Sequence, residues 1–224
     1  MPLAVATICR RLRTEYGPVE PWEVLPPLDE LIATILSQNT SDRNSDAAFA
    51  ELRRRFPTWE AVRTAPVGRI VRAIRCGGLA RQKAPRIKAI LRAIQKQRGE
   101  LSLDFLHELS AEEGVRFLRS FGGVGPKTAA CVLLFACNKP VLPVDTHVHR
   151  VTQRLGLIDP RMNAEKAHEG LARLTPKDKV LEFHIQLIRH GRRTCTARNP
   201  HCTECVLLDG CPEGQRRLKT HRAD

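Results

Sequence analysis

The chain has 224 residues, enough for one or two domains and for burying roughly 70% of the surface its unfolded form exposes. Lys and Arg number 37 against 24 Asp and Glu, a formal +13 that points to a polyanionic partner, nucleic acid first. No apolar run approaches 18 residues, which argues against a membrane-spanning helix. Eight cysteines, half of them bunched near the C-terminal end, do not look like a secreted disulfide scaffold, and a reducing cytoplasm is the expected setting.

The first segment, 1–16, is basic and amphipathic, with Arg10, Arg11 and Arg13. It lacks the serine enrichment of a transit peptide, and Leu3, Ile8 and Leu12 suit a packed first helix. Gly17-Pro18, Pro21 and Pro26-Pro27 break it into an extended connector. Leu28, Leu31, Ile32, Ile35 and Leu36 then follow the spacing of a core-facing helix. That helix ends in Ser37-Gln38-Asn39-Thr40-Ser41, a wholly polar tip. It can be a capping loop, with Ser41 or Ser45 as N-cap, or a group that reaches base edges or fills a gap in a duplex.

Phe49, Leu52 and Phe56 mark the next helix, and Thr58 reads as the N-cap of a short one. Val67, Ile70, Val71 and Ile74 form another, closed by Gly77-Gly78. Leu79 opens a basic turn, and Ile87, Ile90, Leu91 and Ile94 face a long helix. Ser110 with Glu113 is a capping box before a helix that stops at the glycines of Phe121-Gly-Gly-Val-Gly-Pro-Lys-Thr128. Residues 129–136 are apolar on every face, a buried helix. Asp145 is a good N-cap for a helix through Leu155. Thr175-Pro176 is expected to start the last long helix and His190-Gly191 to stop it. The tail beyond Cys211, with Arg216, Arg217, Lys219 and Arg222, reads as loose. No stretch alternates as a strand would, so the chain reads as all-α, with roughly ten helices.

Two constellations carry chemistry. In the first, Gly122, Gly123 and Gly125 permit a tight hairpin, and Pro126 suits the opening of the following helix. Free amides at that helix N-terminus make an anion site from which Lys127 projects. A nucleotide P-loop is disfavoured, because Pro126 stands where its second glycine belongs and no β-rich run precedes it. If the chain turns back after Pro140, Asp145 can face Lys127, an amine–carboxylate pair suited to imine-forming catalysis. His147 and His149 diverge on a helix and are poor joint metal ligands.

The second constellation is Cys195-x6-Cys202-x2-Cys205-x5-Cys211. Four thiolates so close call for a metal centre, and unequal gaps fit a cubane iron–sulfur cluster better than zinc. Arg192, Arg193, Arg198 and His201 would make the tied loop a phosphate-binding surface, unless they only offset the charge of the cluster. Cys9, Cys76, Cys131 and Cys137 sit among apolar neighbours and read as core.

Gly-Val-Gly-Pro-Lys-Thr-Ala from Gly123, Val-Asp-Thr-His-Val-His-Arg from Val144 and the four-cysteine pattern together resemble endonuclease III, a family of helix-hairpin-helix DNA glycosylases. The resemblance runs from about Pro27 to Pro212. It implies a two-domain all-α fold, with a six-helix barrel domain over 28–139, its helix-hairpin-helix at about 116–136, and a cluster domain from 1–27 with 140–224. DNA would lie across the cleft between them. The resemblance further implies a [4Fe-4S] cofactor on Cys195, Cys202, Cys205 and Cys211, with the loop 195–211.

By the same resemblance, Lys127 attacks the sugar of a flipped-out nucleotide and Asp145 assists, giving base release and then β-elimination. Gln38 and Asn39 match the plug for the vacated space, and Leu79 the wedge on the opposite strand. Gly123, Val124, Gly125, Thr128, Arg150 and Arg198 are the remaining expected DNA contacts. The implied partner is double-stranded DNA with a damaged base or abasic site, met by a monomer without membrane association, at a prokaryotic cytoplasmic or nucleoid location. The expected activity is a bifunctional glycosylase acting on oxidised pyrimidines. The alternatives are a mismatch-specific or weakly active glycosylase, or a non-catalytic DNA-binding module. The hairpin reads Phe-Gly-Gly-Val-Gly where the family usually has Leu-Pro-Gly-Val-Gly, and Ser-Gln-Asn-Thr replaces the commoner Ser-Ala-Gln.

Overall fold

In the computed structural model, which describes residues 3–220, there are only helices, turns and irregular connections among the described residues. In chain order the α-helices are α1 (Val5–Tyr16), α2 (Pro27–Ser37), α3 (Asp42–Arg55), α4 (Trp59–Thr64), α5 (Val67–Ala73) and α6 (Ala80–Arg98). They continue as α7 (Ala111–Arg119), α8 (Pro126–Cys131), α9 (Thr146–Arg154), α10 (Ala164–Leu174), α11 (Val180–Arg193) and α12 (Pro212–Thr220). The chain divides into one compact unit from Val24 to Lys139 and a second built from the chain up to Glu23 and from Pro140 onward. No described helix is long and apolar enough to cross a membrane.

The Val24–Lys139 unit is organised on α2. Leu28, Leu31, Ile32, Ile35 and Leu36 are all buried, each worth about 1.5–3 kcal/mol relative to an exposed position. Polar caps set the helix starts around it: Ser41 Oγ accepts from Asn44 N at 3.4 Å and Thr58 Oγ1 from Ala61 N at 3.2 Å. The capping box of Ser110 and Glu113 is complete, at 3.2 and 2.9 Å. Lys83, 2% exposed, donates to Leu36 O at 2.6 Å and Gly77 O at 2.8 Å, tying the C-terminal end of α2 to the turn before α6. Burial lowers the Lys83 ammonium below its ordinary value. Beyond α8 the helix widens into a π turn over Val132–Ala136, a local distortion the apolar run gave no sign of. Cys76 is exposed, contrary to the expectation of a core thiol, whereas Cys9, Cys131 and Cys137 are buried.

In the second unit α1 buries Val5, Ile8, Cys9 and Leu12, packing on α11. Arg13 pairs with Glu182 and Arg11 with Asp209. Three expectations are corrected here. Thr175 is extended and Pro176 leads only into a 3-10 turn over Lys177–Lys179, so the long helix starts at Val180; a residue before proline is pushed out of the helical region. Gly191 does not stop α11. A Cβ there would meet His147 Cβ at 2.9 Å, so the glycine lets α11 approach α9. The tail is not loose as far as Thr220: it is α12, with Glu213 bonded to Arg216 and Arg217 at 2.9 and 2.7 Å, and Arg222 lies outside the described residues.

Candidate active site and cluster loop

The hairpin is a two-helix corner. α7 ends at Arg119, Val124 N donates to Phe121 O at 3.1 Å, and Gly123 takes φ +85°, a region closed to most side chains. Val124 is buried, while Gly122, Gly123 and Gly125 are exposed. Among the described residues the amides of Gly123 and Gly125 have no backbone acceptor, which leaves two donors of exposed residues unspent at the start of α8. Pro126 is the first residue of α8 and Lys127, half-buried, the second.

Around that turn the side chains are fixed. Thr128 is buried and accepts from Gln38 Nε2 at 3.3 Å; Gln38 Oε1 accepts from Arg86 Nη1 at 3.0 Å. Gln38 is half-buried, whereas Asn39 beside it is exposed with φ +53°. Glu30, two turns back on α2, accepts from Thr34 Oγ1 at 2.9 Å. Burial raises its carboxyl above the usual value, the Thr34 bond and then the nearby Lys127 charge pulling it partly back. Leu79 caps α6 in the left-handed region at φ +50° and is 44% exposed. For a large branched side chain that is strain, of the kind found at functional positions. It borders a surface depression flanked by Arg75 and Arg81.

Asp145 belongs to the other unit. Its Oδ1 accepts from His147 N at 2.9 Å and Val148 N at 2.7 Å, so it is the N-cap of α9. No hydrogen bond to Oδ2 occurs among the described residues. Arg150 is half-buried, and its guanidinium donates to Cys195 O at 3.1 Å and Gly191 O at 2.8 Å and meets His147 Nδ1 at 3.1 Å. Burial lowers it from its ordinary value. It braces α9, α11 and the cysteine loop, which is not the outward posture of a phosphate contact. His147 and His149 are engaged separately, with Arg150 and with Met162 O. Arg198 is exposed, with no hydrogen bond or ion pair among the described residues.

Cys195, Cys202, Cys205 and Cys211 line one small pocket together with His190 and Arg154. No three metal-binding side chains among the described residues converge on a single ion position. Thiols spread around a cavity suit a polynuclear cluster, whose irons occupy separate corners. The surroundings fit thiolates. Arg154 Nη1 donates to Cys195 Sγ at 3.2 Å, and Gly214 N, in the first turn of α12, donates to Cys211 Sγ at 3.3 Å. His190 Nε2 lies 3.7 Å from Cys205 Sγ. A Cβ on Gly214 would fall 3.0 Å from Leu208 Cδ1, so the glycine lets the first turn of α12 sit against Leu208. Unligated, Cys205 is pushed up to about 11, first by burial and also by the other three cysteines, and Cys211 Sγ donates to Arg154 O at 3.2 Å; binding a metal would release these thiol protons. Arg154 escaped sequence reading, though it stands one turn from Arg150 on α9. Arg86 escaped too, because only packing brings it to the hairpin.

Residues 32–177 match the HhH-GPD superfamily of base excision DNA repair proteins, and residues 195–211 match the iron-sulfur binding domain of endonuclease III. A putative DNA glycosylase of Arabidopsis thaliana is 43% identical over 165 residues, 74% of this chain; the chain spans only 56% of that relative's length. Endonuclease III of Thermotoga maritima is 35% identical over 212 residues, 95% of this chain and 92% of its own. The solved structure of an endonuclease III trapped as a covalent intermediate with DNA superposes with a TM-score of 0.82 at 28% identity, over 96% of this chain and 99% of that one.

Proposed function

We propose that this chain, which belongs to the endonuclease III family of base excision DNA repair enzymes, releases oxidised pyrimidines from duplex DNA and nicks the strand through a Schiff base on Lys127. The chain is a DNA glycosylase and abasic-site lyase with a [4Fe-4S] cluster. Its lesion class and the roles of its residues are our reading. The observation that carries it is Lys127 as the second residue of α8, directly behind a hairpin with two unspent amides.

The damaged nucleotide leaves the stack, because its C1′ is unreachable in the duplex. The Gly123 and Gly125 amides hold the neighbouring phosphate. Asn39, exposed and left-handed, enters the vacated space, and Leu79 wedges the opposite strand. The Lys127 nitrogen bonds to C1′ as the C1′–N bond to the base breaks and the base departs with that electron pair. Asp145 Oδ2, spared by the cap, takes the amine proton and balances positive charge on the sugar. The displaced base anion takes a proton from water. Asp145 passes its proton to O4′ as the ring opens to a protonated imine, then takes the C2′ proton as the 3′ phosphate leaves with the C3′–O electron pair, and water frees Lys127. When bound, the cluster supplies a four-point cross-link of the loop 195–211, which holds Arg198 and His201 towards phosphate. We place the enzyme with the genome, acting as a monomer.

The test is borohydride reduction during reaction with duplexes carrying thymine glycol or an abasic site. A covalent protein–DNA adduct is expected from both and absent in Lys127→Ala. No adduct from either substrate would sink the lyase chemistry; an adduct from the abasic duplex alone would sink the pyrimidine assignment.

A further inference from the structure

We propose that Gln38 is a positioning residue for Lys127, clamping α8 to the C-terminal end of α2 and to α6, and does not itself enter the DNA. The inference rests on the Schiff-base reading of Lys127. Gln38 terminates α2, and both halves of its amide are already committed. Nε2 donates to the buried Thr128 hydroxyl, the residue after Lys127, and Oε1 accepts from Arg86. Arg86 in turn lies across the hairpin: a Cβ on Gly123 would fall 2.6 Å from its Cδ and 2.9 Å from its Cζ. Gln38, Arg86 and Thr128 therefore grip the turn that carries Lys127 from two sides.

A gap-filling side chain must have free donors and acceptors to offer the unpaired base. Gln38 already holds one bond at each end of its amide and would have to break both to swing into a gap, whereas Asn39, exposed at φ +53°, is held by no such pair. The clamp also links the polar tip at 38–40 mechanically to α8. A nucleophile misplaced by about 1 Å can lose about a hundredfold in rate, so fixing the α8 turn bears on chemistry more than on affinity.

The experiment compares Gln38→Leu and Gln38→Glu in the full chain with its cluster. Leucine fills the space without bonds. Glutamate can accept from Arg86 and from Thr128, whose hydroxyl rotates to donate. Single-turnover adduct formation on a saturating abasic duplex is expected to fall about 10- to 100-fold in Gln38→Leu, with Kd for the same duplex moving less than about threefold. Amide hydrogen exchange over residues 121–131 is expected to accelerate about tenfold. Gln38→Glu should restore rate and exchange to within about threefold of the parent. Weakened DNA binding with an unchanged saturated rate would overturn the proposal and make Gln38 a DNA contact, as would failure of glutamate to rescue. If the parent protein forms no adduct, the Lys127 reading fails by itself. The exchange measurement then still decides the clamp, which unchanged protection in Gln38→Leu would refute.

Discussion

Gly123→Ala separates the two reasons a glycine can sit in the hairpin. At φ +85° an L side chain is strained by about 1–2 kcal/mol. The new methyl would also overlap Arg86, so the guanidinium must move away from Gln38, giving up a charged hydrogen bond worth about 1–2 kcal/mol after solvent exchange. The sum is about 3 kcal/mol. At about 2–4 °C per kcal/mol for a chain of this size, the melting temperature should drop by about 6–12 °C. Two neighbours serve as controls. A Cβ on Gly122 or Gly125 meets nothing within 4 Å, and neither glycine has positive φ. Alanine at either should melt like the parent. At Gly125 the methyl should instead obstruct a phosphate and weaken binding to duplex DNA by about tenfold, consistent with losing one close backbone approach. Thermal melts and fluorescence anisotropy read the two effects independently. Equal melting of Gly123→Ala and the parent would refute the strain-and-clamp account of the hairpin.

Asp145→Asn should melt within about 1 kcal/mol of the parent, since an asparagine oxygen caps as well as a carboxylate, while turnover falls about a hundredfold or more with the loss of proton transfer; a defect confined to DNA affinity would remove Asp145 from the chemistry. Glu30→Gln tests a buried acid whose carboxyl is raised chiefly by burial. The folded chain keeps a proton that the unfolded chain surrenders as pH rises through the ordinary carboxylate range, so this group costs stability from there upward. Urea melts should find the Glu30→Gln variant gaining on the parent as pH rises from the ordinary carboxylate range to neutrality, and a parent that gains instead would reverse the sign. Cys202→Ser should lose visible iron–sulfur absorption and flatten the salt dependence of DNA binding by about one unit of slope for each phosphate no longer neutralised; intact absorption would show that the cavity does not need its second thiol.

What the sequence made legible was local. Caps at Thr58, Ser110 and Asp145, the glycine hairpin and the four-cysteine spacing each declare themselves within a few residues, because each satisfies its own backbone. The clamp does not, since Gln38 meets partners 48 and 90 positions away that only packing brings together. Gly191 misled for the same reason: a glycine near a helix end reads as a stop, and only the presence of His147 beside it reveals a close approach of helices. The helical tail was the avoidable miss. Glu213 stands three and four residues before Arg216 and Arg217, the spacing of paired charges on one helical face.

The unit that holds the cysteine loop is assembled from chain made at very different times. Val5, Ile8 and Leu12 of α1 find their cover on α11, which begins at Val180, and Arg11 finds Asp209 later still. At about 5–20 residues per second, the apolar stripe of α1 leaves the ribosome about 10–35 s before its partner exists. Meanwhile the Val24–Lys139 unit has every one of its helices in hand and can close first. The hairpin between α7 and α8 can therefore be finished while the two stretches that build the other unit are still apart in time.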